Sequence, residues 1–170
     1  NSFASKITLK ILREQLTTCW RIKARYDLLN FESHIIRSKL WKKTFEKLQH
    51  EKLILKETEG NNIGCWTFDS SNEGTKIIVR SDNTATYIAK DIPYALLKVG
   101  TIEDIFNYRI FVKQWDDTNL WSTTIDKSES VVHPIFFPAE YSITVIDNRQ
   151  SRLQNIIKEI LNKLTQKSNE

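Results

Sequence analysis

Between Ser5 and Leu29 the apolar residues Leu9, Leu12, Leu16, Cys19, Trp20 and Ala24 recur at spacings of three and four. That period predicts a helix with one apolar face, and Lys10, Arg13, Arg21 and Arg25 fall opposite it. From Ser33 to about Leu53 the period returns in Ile36, Leu40, Trp41, Phe45 and Leu48, predicting a second helix with Ser33 or Ser38 as N-cap. The texture then changes to short β-branched or apolar runs: Leu53 to Leu55, Cys65 to Phe68, Lys76 to Arg80 and Ala85 to Ala89. Polar, glycine- and asparagine-rich stretches separate them, which predicts strands and turns. The last two runs, joined across Asp82-Asn83, predict a hairpin, because asparagine tolerates the left-handed conformation of a tight turn. Asp91-Ile92-Pro93 predicts a helix start, with Asp91 as cap and Pro93 in the first turn, running to about Val99 and stopped by Gly100.

Residues 101–140 carry Phe106, Tyr108, Phe111, Trp115 and Trp121 without a regular period, and His133-Pro134 and Phe137-Pro138 interrupt them. An insertion or ordered loop region is predicted there. Tyr141 to Ile146 is apolar at nearly every position, as a strand covered on both faces is, and from Gln150 the residues Leu153, Ile156, Ile157, Ile160, Leu161 and Leu164 predict an amphipathic helix. Strand, short turn and helix make half of a parallel α/β unit, whose ligands sit at strand C-termini. The turn Asp147-Asn148-Arg149-Gln150 is therefore a place to look for chemistry.

Composition narrows the classes. With 170 residues, 40% hydrophobic and 27% charged, the chain has the size and makeup of one globular domain, and its length suffices for a buried core. The net charge of +4 conceals a gradient: residues 1–60 carry 13 Lys/Arg against 7 Asp/Glu, residues 61–140 carry 7 against 11, and residues 141–170 carry 5 against 3. No apolar run approaches a membrane span, so no membrane is expected as partner. Cys19 and Cys65 form no CxxC, which predicts free thiols in a reducing compartment and hence the cytoplasm. The chain starts at Asn1 without a basic-then-apolar leader and contains no methionine, and so reads as an excised piece.

The chemistry-bearing side chains form few patterns. His34, His50 and His133 share no i,i+4 or H-x-H spacing, so no metal site is expected. Cys19 on an apolar helical face and Cys65 beside Trp66 have the setting of inert thiols rather than nucleophiles. Four glycines form neither G-x-x-x-x-G-K-[ST] nor G-x-G-x-x-G, so no phosphate loop is present in the sequence. The basic helices in residues 6–56, interleaved with Trp20, Tyr26, Phe31 and Trp41, suit a phosphate backbone; they equally suit a solvated helical face over an aromatic core.

The stretch Lys76 to Lys98 is more specific. K-I-I-V-R-S-D-N-T-A-T-Y-I-A-K-D-I-P-Y-A-L-L-K resembles the arginyl-tRNA synthetases, with their S-D-G-T-like turn and T-Y-x-x-[RK]-D-I-x-Y pattern. Val145-Ile-Asp-Asn-Arg-Gln-Ser151 resembles the family's strand ending in D-x-R-Q before a helix. Cys19-Trp-Arg-Ile, Tyr26-Asp-Leu-Leu-Asn-Phe-Glu-Ser33 and Leu40-Trp41 resemble its linking helices. Asn107-Tyr-Arg and Leu120-Trp-Ser-Thr-Thr are similar to archaeal-type members. The resemblance covers nearly the whole chain and is weakest over 107–140. Asn83 departs from the usual glycine, Lys90 from the usual arginine, and Pro93 from the usual small residue; Pro93 puts the position of Asp91 in doubt.

The resemblance implies a fragment of a class I arginine-tRNA ligase, from the middle of the catalytic domain. Such an enzyme activates L-arginine with ATP and magnesium and transfers it to tRNA(Arg), here reached through the basic helices of residues 6–56. The implied fold is α/β: N-terminal helices, a small antiparallel connective sub-domain, and part of a Rossmann-like nucleotide-binding fold. The corresponding divisions of 1–170 are a helical segment (1–60), a hairpin and helix with the pocket motif (61–100), an insertion (101–140) and a Rossmann-type strand and helix (141–170). The family's H-x-G-H-like and K-M-S-K-like motifs do not occur in this sequence. The catalytic residues are thus expected elsewhere, and the isolated chain is expected to be inactive and monomeric.

By the family's motifs the arginine pocket falls on Tyr87, Asp91 and Gln150. A guanidinium is planar, always charged and rich in donors, so its recognition calls for a carboxylate, an uncharged acceptor and an aromatic wall. Asp91 would form the charged pair, Tyr87 would offer its hydroxyl or ring, and Gln150 an amide oxygen. Read without the family, Asp91 is equally a helix cap, Tyr87 a strand residue of the core and Gln150 a first-turn helix residue. The rival reading is a non-catalytic tRNA-binding or regulatory module derived from a synthetase.

Overall fold

The computed structural model describes residues 3–167, so the first two residues of the predicted 1–60 segment and the last three of the 141–170 segment lie outside the described residues. In order, the elements are α1 (Phe3–Arg21), β1 (Leu28–Leu29), α2 (Glu32–Arg37), α3 (Leu40–His50), β2 (Leu55–Lys56), β3 (Trp66–Ser70), β4 (Gly74–Val79), α4 (Tyr87–Lys98), β5 (Asn107–Lys113), β6 (Asn119–Thr124) and α5 (Ser151–Lys167). They fall into two compact units: residues 1–31 with 107–134, and residues 32–106 with 135–170. The predicted mixed α/β class is met, with two small three-stranded sheets rather than one large one.

The first unit carries α1 and a sheet in the order β1-β6-β5. The predicted first helix stops at Arg21 rather than Leu29: Lys23 turns into the left-handed region at φ 60°, and Leu28–Leu29 leave the helix to pair parallel with Trp121 and Ser122. Buried Gln114 fixes that departure, because its amide accepts from Tyr26 N at 3.0 Å and donates to Tyr26 O at 2.7 Å, as a neighbouring strand's peptide would. The 101–140 stretch is likewise not irregular throughout, since β5 and β6 form an antiparallel hairpin within it. A bulge between Ile110 and Val112 shifts the register, so the period of two is broken midway and was hidden from the sequence. Leu120 to Thr124 of β6 are all buried, as suits the middle strand.

The second unit packs α2, α3, α4 and α5 with the antiparallel sheet β2-β3-β4. Its core includes Leu40, Leu48, Ile54, Phe68, Ile78, Ile92, Leu96, Ile160 and Leu164, each at most 1% exposed. The predicted second helix is two helices: Lys39 adopts φ 65° between them, and neither serine caps α3. Ser33 lies within α2, and Ser38 Oγ donates back to Ile35 O at 3.2 Å. Trp41, Phe45 and Trp66 stack in sequence, with Phe45 edge-on to Trp66 at 5.3 Å, so here the interleaved aromatics serve packing.

Three further expectations are corrected. The turn at Asp82-Asn83 forms, with Asn83 at φ 65° and Asp82 Oδ1 accepting from Thr84 N at 2.8 Å, but its return arm makes only the Val79–Ala85 bridge. Ala85 to Ala89 is not a strand, because α4 begins at Tyr87 behind Thr86, whose hydroxyl donates to Ile77 O and Ile78 O. Asp91 therefore stands in the second turn instead of capping the helix, and Pro93 lies in the helix interior, where it cannot donate to Ala89 O. Burial of Ile88, Ala89, Ile92, Leu96 and Leu97 outweighs that loss, since only a helix starting at Tyr87 turns them all inward. Gly100 stops α4 as predicted, at φ 74°, with Gly100 N bonded to Leu97 O and Thr101 N to Leu96 O.

Tyr141 to Ile146 is not a strand in this structure. Tyr141, Ile143 and Val145 are 86%, 89% and 95% exposed, and among the described residues no strand pairs with the segment. An apolar run becomes a doubly covered strand only where neighbours supply the ladder.

Candidate functional site

The site lies on the outer face of α4. Tyr87, Asp91, Tyr94 and Lys98 recur at spacings of four, three and four, which places them in one row, while Ile88, Ile92 and Leu96 face the core. Asp91, Tyr94 and Lys98 line a cleft of about 610 Å³ whose opposite wall is Ser142, Thr144 to Ile146, Gln150 and the first turns of α5. The segment before that wall is tied to α4: Ala139 N donates to Lys98 O at 2.7 Å, and Phe137 meets Tyr94 edge-on at 6.0 Å.

Two of the three sequence-predicted residues meet here. Asp91 and Gln150 line the same cleft, whereas Tyr87 stands one turn before Asp91, 68% exposed and outside the lining. Gln150 is held by the D-x-R-Q turn. Asp147 Oδ1 accepts from Arg149 N and Arg149 Nε, both at 2.9 Å, and Gln150 N donates to Asp147 O at 2.8 Å. The hydrogen bonds from Arg149 hold the Asp147 carboxyl below the usual carboxylate range. Arg149 is thus occupied with its neighbour, and Gln150 is the turn residue left facing the cleft.

Asp91 forms no hydrogen bond or ion pair among the described residues. Loss of water around it pushes its carboxyl up, the charge of Glu32 adds to this, and Lys90 and Lys98 oppose it. Lys90 is engaged with Glu32 at 2.9 Å. Lys98 stands with its ammonium 4.6 Å from the centre of the Tyr94 ring; burial pushes its pKa down and Asp91 opposes that. The cleft therefore offers an unsatisfied anion, an amide and an aromatic face. Tyr94, the last residue of the T-Y-x-x-[RK]-D-I-x-Y pattern, and Lys98 carry no role expected from sequence, and the signal that sets them beside Asp91 is the four-three-four spacing, visible only once the helix is begun at Tyr87.

No group of three His, Cys, Asp or Glu side chains is placed to hold a metal ion among the described residues, and Asp91 is the one carboxylate among the cleft's lining residues. No magnesium ligand is assigned from this chain. No helix of the described residues is long and apolar enough to cross a membrane. Cys19 and Cys65 are free thiols. The basic stretch 6–56 divides at Phe31 between the two units.

No family model matches the chain. The arginine-tRNA ligase of Deinococcus radiodurans is 32% identical over 156 residues, 88% of this chain and 25% of that protein. That of Pyrococcus abyssi is 34% identical over 157 residues, 89% of this chain and 24% of that protein. The solved structure of Thermus thermophilus arginyl-tRNA synthetase matches with a TM-score of 0.80 at 30% identity, over 94% of this chain and 27% of that one. The chain is a homologue of the arginine-tRNA ligases. It spans about a quarter of the length of the relatives it matches, and the likeness to arginine-tRNA ligases does not favour the alternative of a non-catalytic module. Asp91 of the T-Y-x-x-K-D stretch and Gln150 of the D-x-R-Q turn, about 60 residues apart in the sequence, line one cleft.

Proposed function

We propose that this chain supplies the arginine side-chain pocket of an arginine-tRNA ligase, in which ATP activates L-arginine for transfer to tRNA(Arg). The observation that carries the reading is the convergence of Asp91 and Gln150 on one cleft, with the Asp91 carboxylate making no hydrogen bond or ion pair among the described residues. The substrate's guanidinium pairs with Asp91 through two parallel N–H donors, and the Gln150 amide oxygen accepts a third. Tyr87 bounds the open end of the row with its hydroxyl or ring. Catalysis of carboxylate attack on the ATP α-phosphate consists of positioning and electrostatic stabilisation of phosphate charge. The residues for that step, and for magnesium, are assigned outside this chain. The isolated chain, lacking H-x-G-H-like and K-M-S-K-like motifs, is accordingly inactive; we further take it as a monomer whose setting is the cytoplasm.

The test is Asp91→Asn in the complete gene product containing this chain, read by arginine-dependent ATP/pyrophosphate exchange. Losing a charged hydrogen bond of roughly 1.5 to 3 kcal/mol raises the KM for arginine about tenfold or more. A KM within about twofold of the wild type would overturn the assignment. Contact with tRNA(Arg) is assigned to the basic residues of 6–56, with Lys10, Arg13 and Arg21 on α1 and Arg25 in the segment that follows it. Replacing those four by glutamine should weaken tRNA binding and flatten its salt dependence.

A further inference from the structure

We propose that Lys98 is an internal placeholder for the substrate's guanidinium, and that the face of Tyr94 is the aromatic wall both of them use. The proposal rests on the arginine-pocket reading above and adds the groups that set its affinity. In this structure a cation already occupies an aromatic face of the cleft: the Lys98 ammonium lies 4.6 Å from the Tyr94 ring centre, on the side chain row that carries Asp91. The ring is itself fixed, edge-on to Phe137 at 87°. Tyr87, the aromatic expected from sequence, is 68% exposed and has no cation over its ring among the described residues.

The two charges are near enough to influence one another, yet no ion pair joins them among the described residues. Tyr94 holds the ammonium, and Asp91 remains open to an arriving ligand. A guanidinium outcompetes an ammonium at this surface for two reasons: it stacks on an aromatic ring with a planar, weakly hydrated face, and its fork matches a carboxylate with two parallel donors. Lysine in position 98 therefore offsets part of the Asp91 charge in the empty cleft and yields when arginine enters. The cost is a fraction of the molecules in which the wall is occupied, which lowers the apparent affinity by that fraction.

The test uses the complete gene product at pH 8, with the KM values for arginine and ATP measured by pyrophosphate exchange for Lys98→Met, Lys98→Arg and Tyr94→Leu. Lys98→Met removes the placeholder and lowers the KM for arginine about three- to fivefold, the scale of one cation–aromatic contact. Lys98→Arg installs a stronger placeholder and raises it by a similar factor. Tyr94→Leu raises it, and in all three the effect is confined to arginine. Opposite shifts for methionine and arginine at one position are not produced by a merely structural role. A higher KM for arginine in Lys98→Met, or shifts of the same sign in both Lys98 variants, overturns the proposal. Asp91→Asn in the same assay separates the two failures: if it raises the KM while Lys98→Met does so too, the pocket stands and the placeholder falls. An unchanged KM in Asp91→Asn removes the pocket reading and the placeholder with it.

Discussion

Glu159→Gln tests how the two ends of the second unit's fold are held together. Glu159 on α5 accepts from Ser70 Oγ at 2.7 Å, Ser71 Oγ at 2.8 Å and Ser71 N at 3.0 Å, and pairs with Lys163 at 2.9 Å, so one carboxylate fastens the β3–β4 turn to the last helix. Burial alone pushes this carboxyl up. The Ser70 hydroxyl, the Ser71 amide, the Lys163 ammonium and the Ser71 hydroxyl together overcome that and bring it from 4.5 to about 2. At about 1.4 kcal/mol per tenfold change in proton affinity, that drop has a ceiling of roughly 3 kcal/mol. The side chain is 15% exposed and solvent screens part of the charge, which leaves about 2 kcal/mol. Because the folded pKa is depressed, the stabilisation is fully present above the unfolded value of 4.5 and is lost as pH falls through about 2. Neutral glutamine mimics the protonated acid. Urea unfolding should therefore show the variant less stable by about 2 kcal/mol at pH 7, with the gap closing between pH 4.5 and 2. Hydrogen exchange at the Ser71 amide should quicken in the variant at neutral pH. A gap that stays constant down to pH 2.5, or no gap at pH 7, would refute the reasoning.

Two stability predictions accompany the site variants. Gly100→Ala places a Cβ 2.8 Å from Pro138 Cβ at a residue with φ 74°, and should cost about 1 to 3 kcal/mol and lower the Tm; an unchanged Tm would mean that the 137–139 segment yields freely. Pro93→Ala restores a donor to Ala89 O inside α4; the gain of up to about 3 kcal/mol in helix propensity, offset by lost packing of a buried ring, should leave a net stabilisation of about 1 kcal/mol, and a fall in Tm would show that packing of the ring dominates.

How much was legible can be judged from single elements. The row Tyr87, Asp91, Tyr94 and Lys98 is present in the sequence but divides there into two pieces, because Thr-Tyr-Ile favours a strand and Pro93 suits a first turn. Asp91 and Gln150 are legible as candidates from the family's motifs, and their convergence on one cleft is not. Local periodicity has no term for residues about 60 positions apart.

What the sequence determined by itself is local: the amphipathic faces of α1 and α5, the left-handed turn at Asn83, the stop at Gly100 and the motif-bearing residues. Those follow from period, turn chemistry and backbone freedom, each set within a few residues. Tertiary structure alone decided that Leu28–Leu29 leave a helical pattern to pair with β6, that a bulge hides the β5 alternation, and that α4 keeps a proline. It also decided that Tyr94 and Lys98 share the cleft with Asp91. In each case burial against a distant partner outweighs a local preference worth about 1 to 3 kcal/mol, and that partner is visible only once the chain is folded.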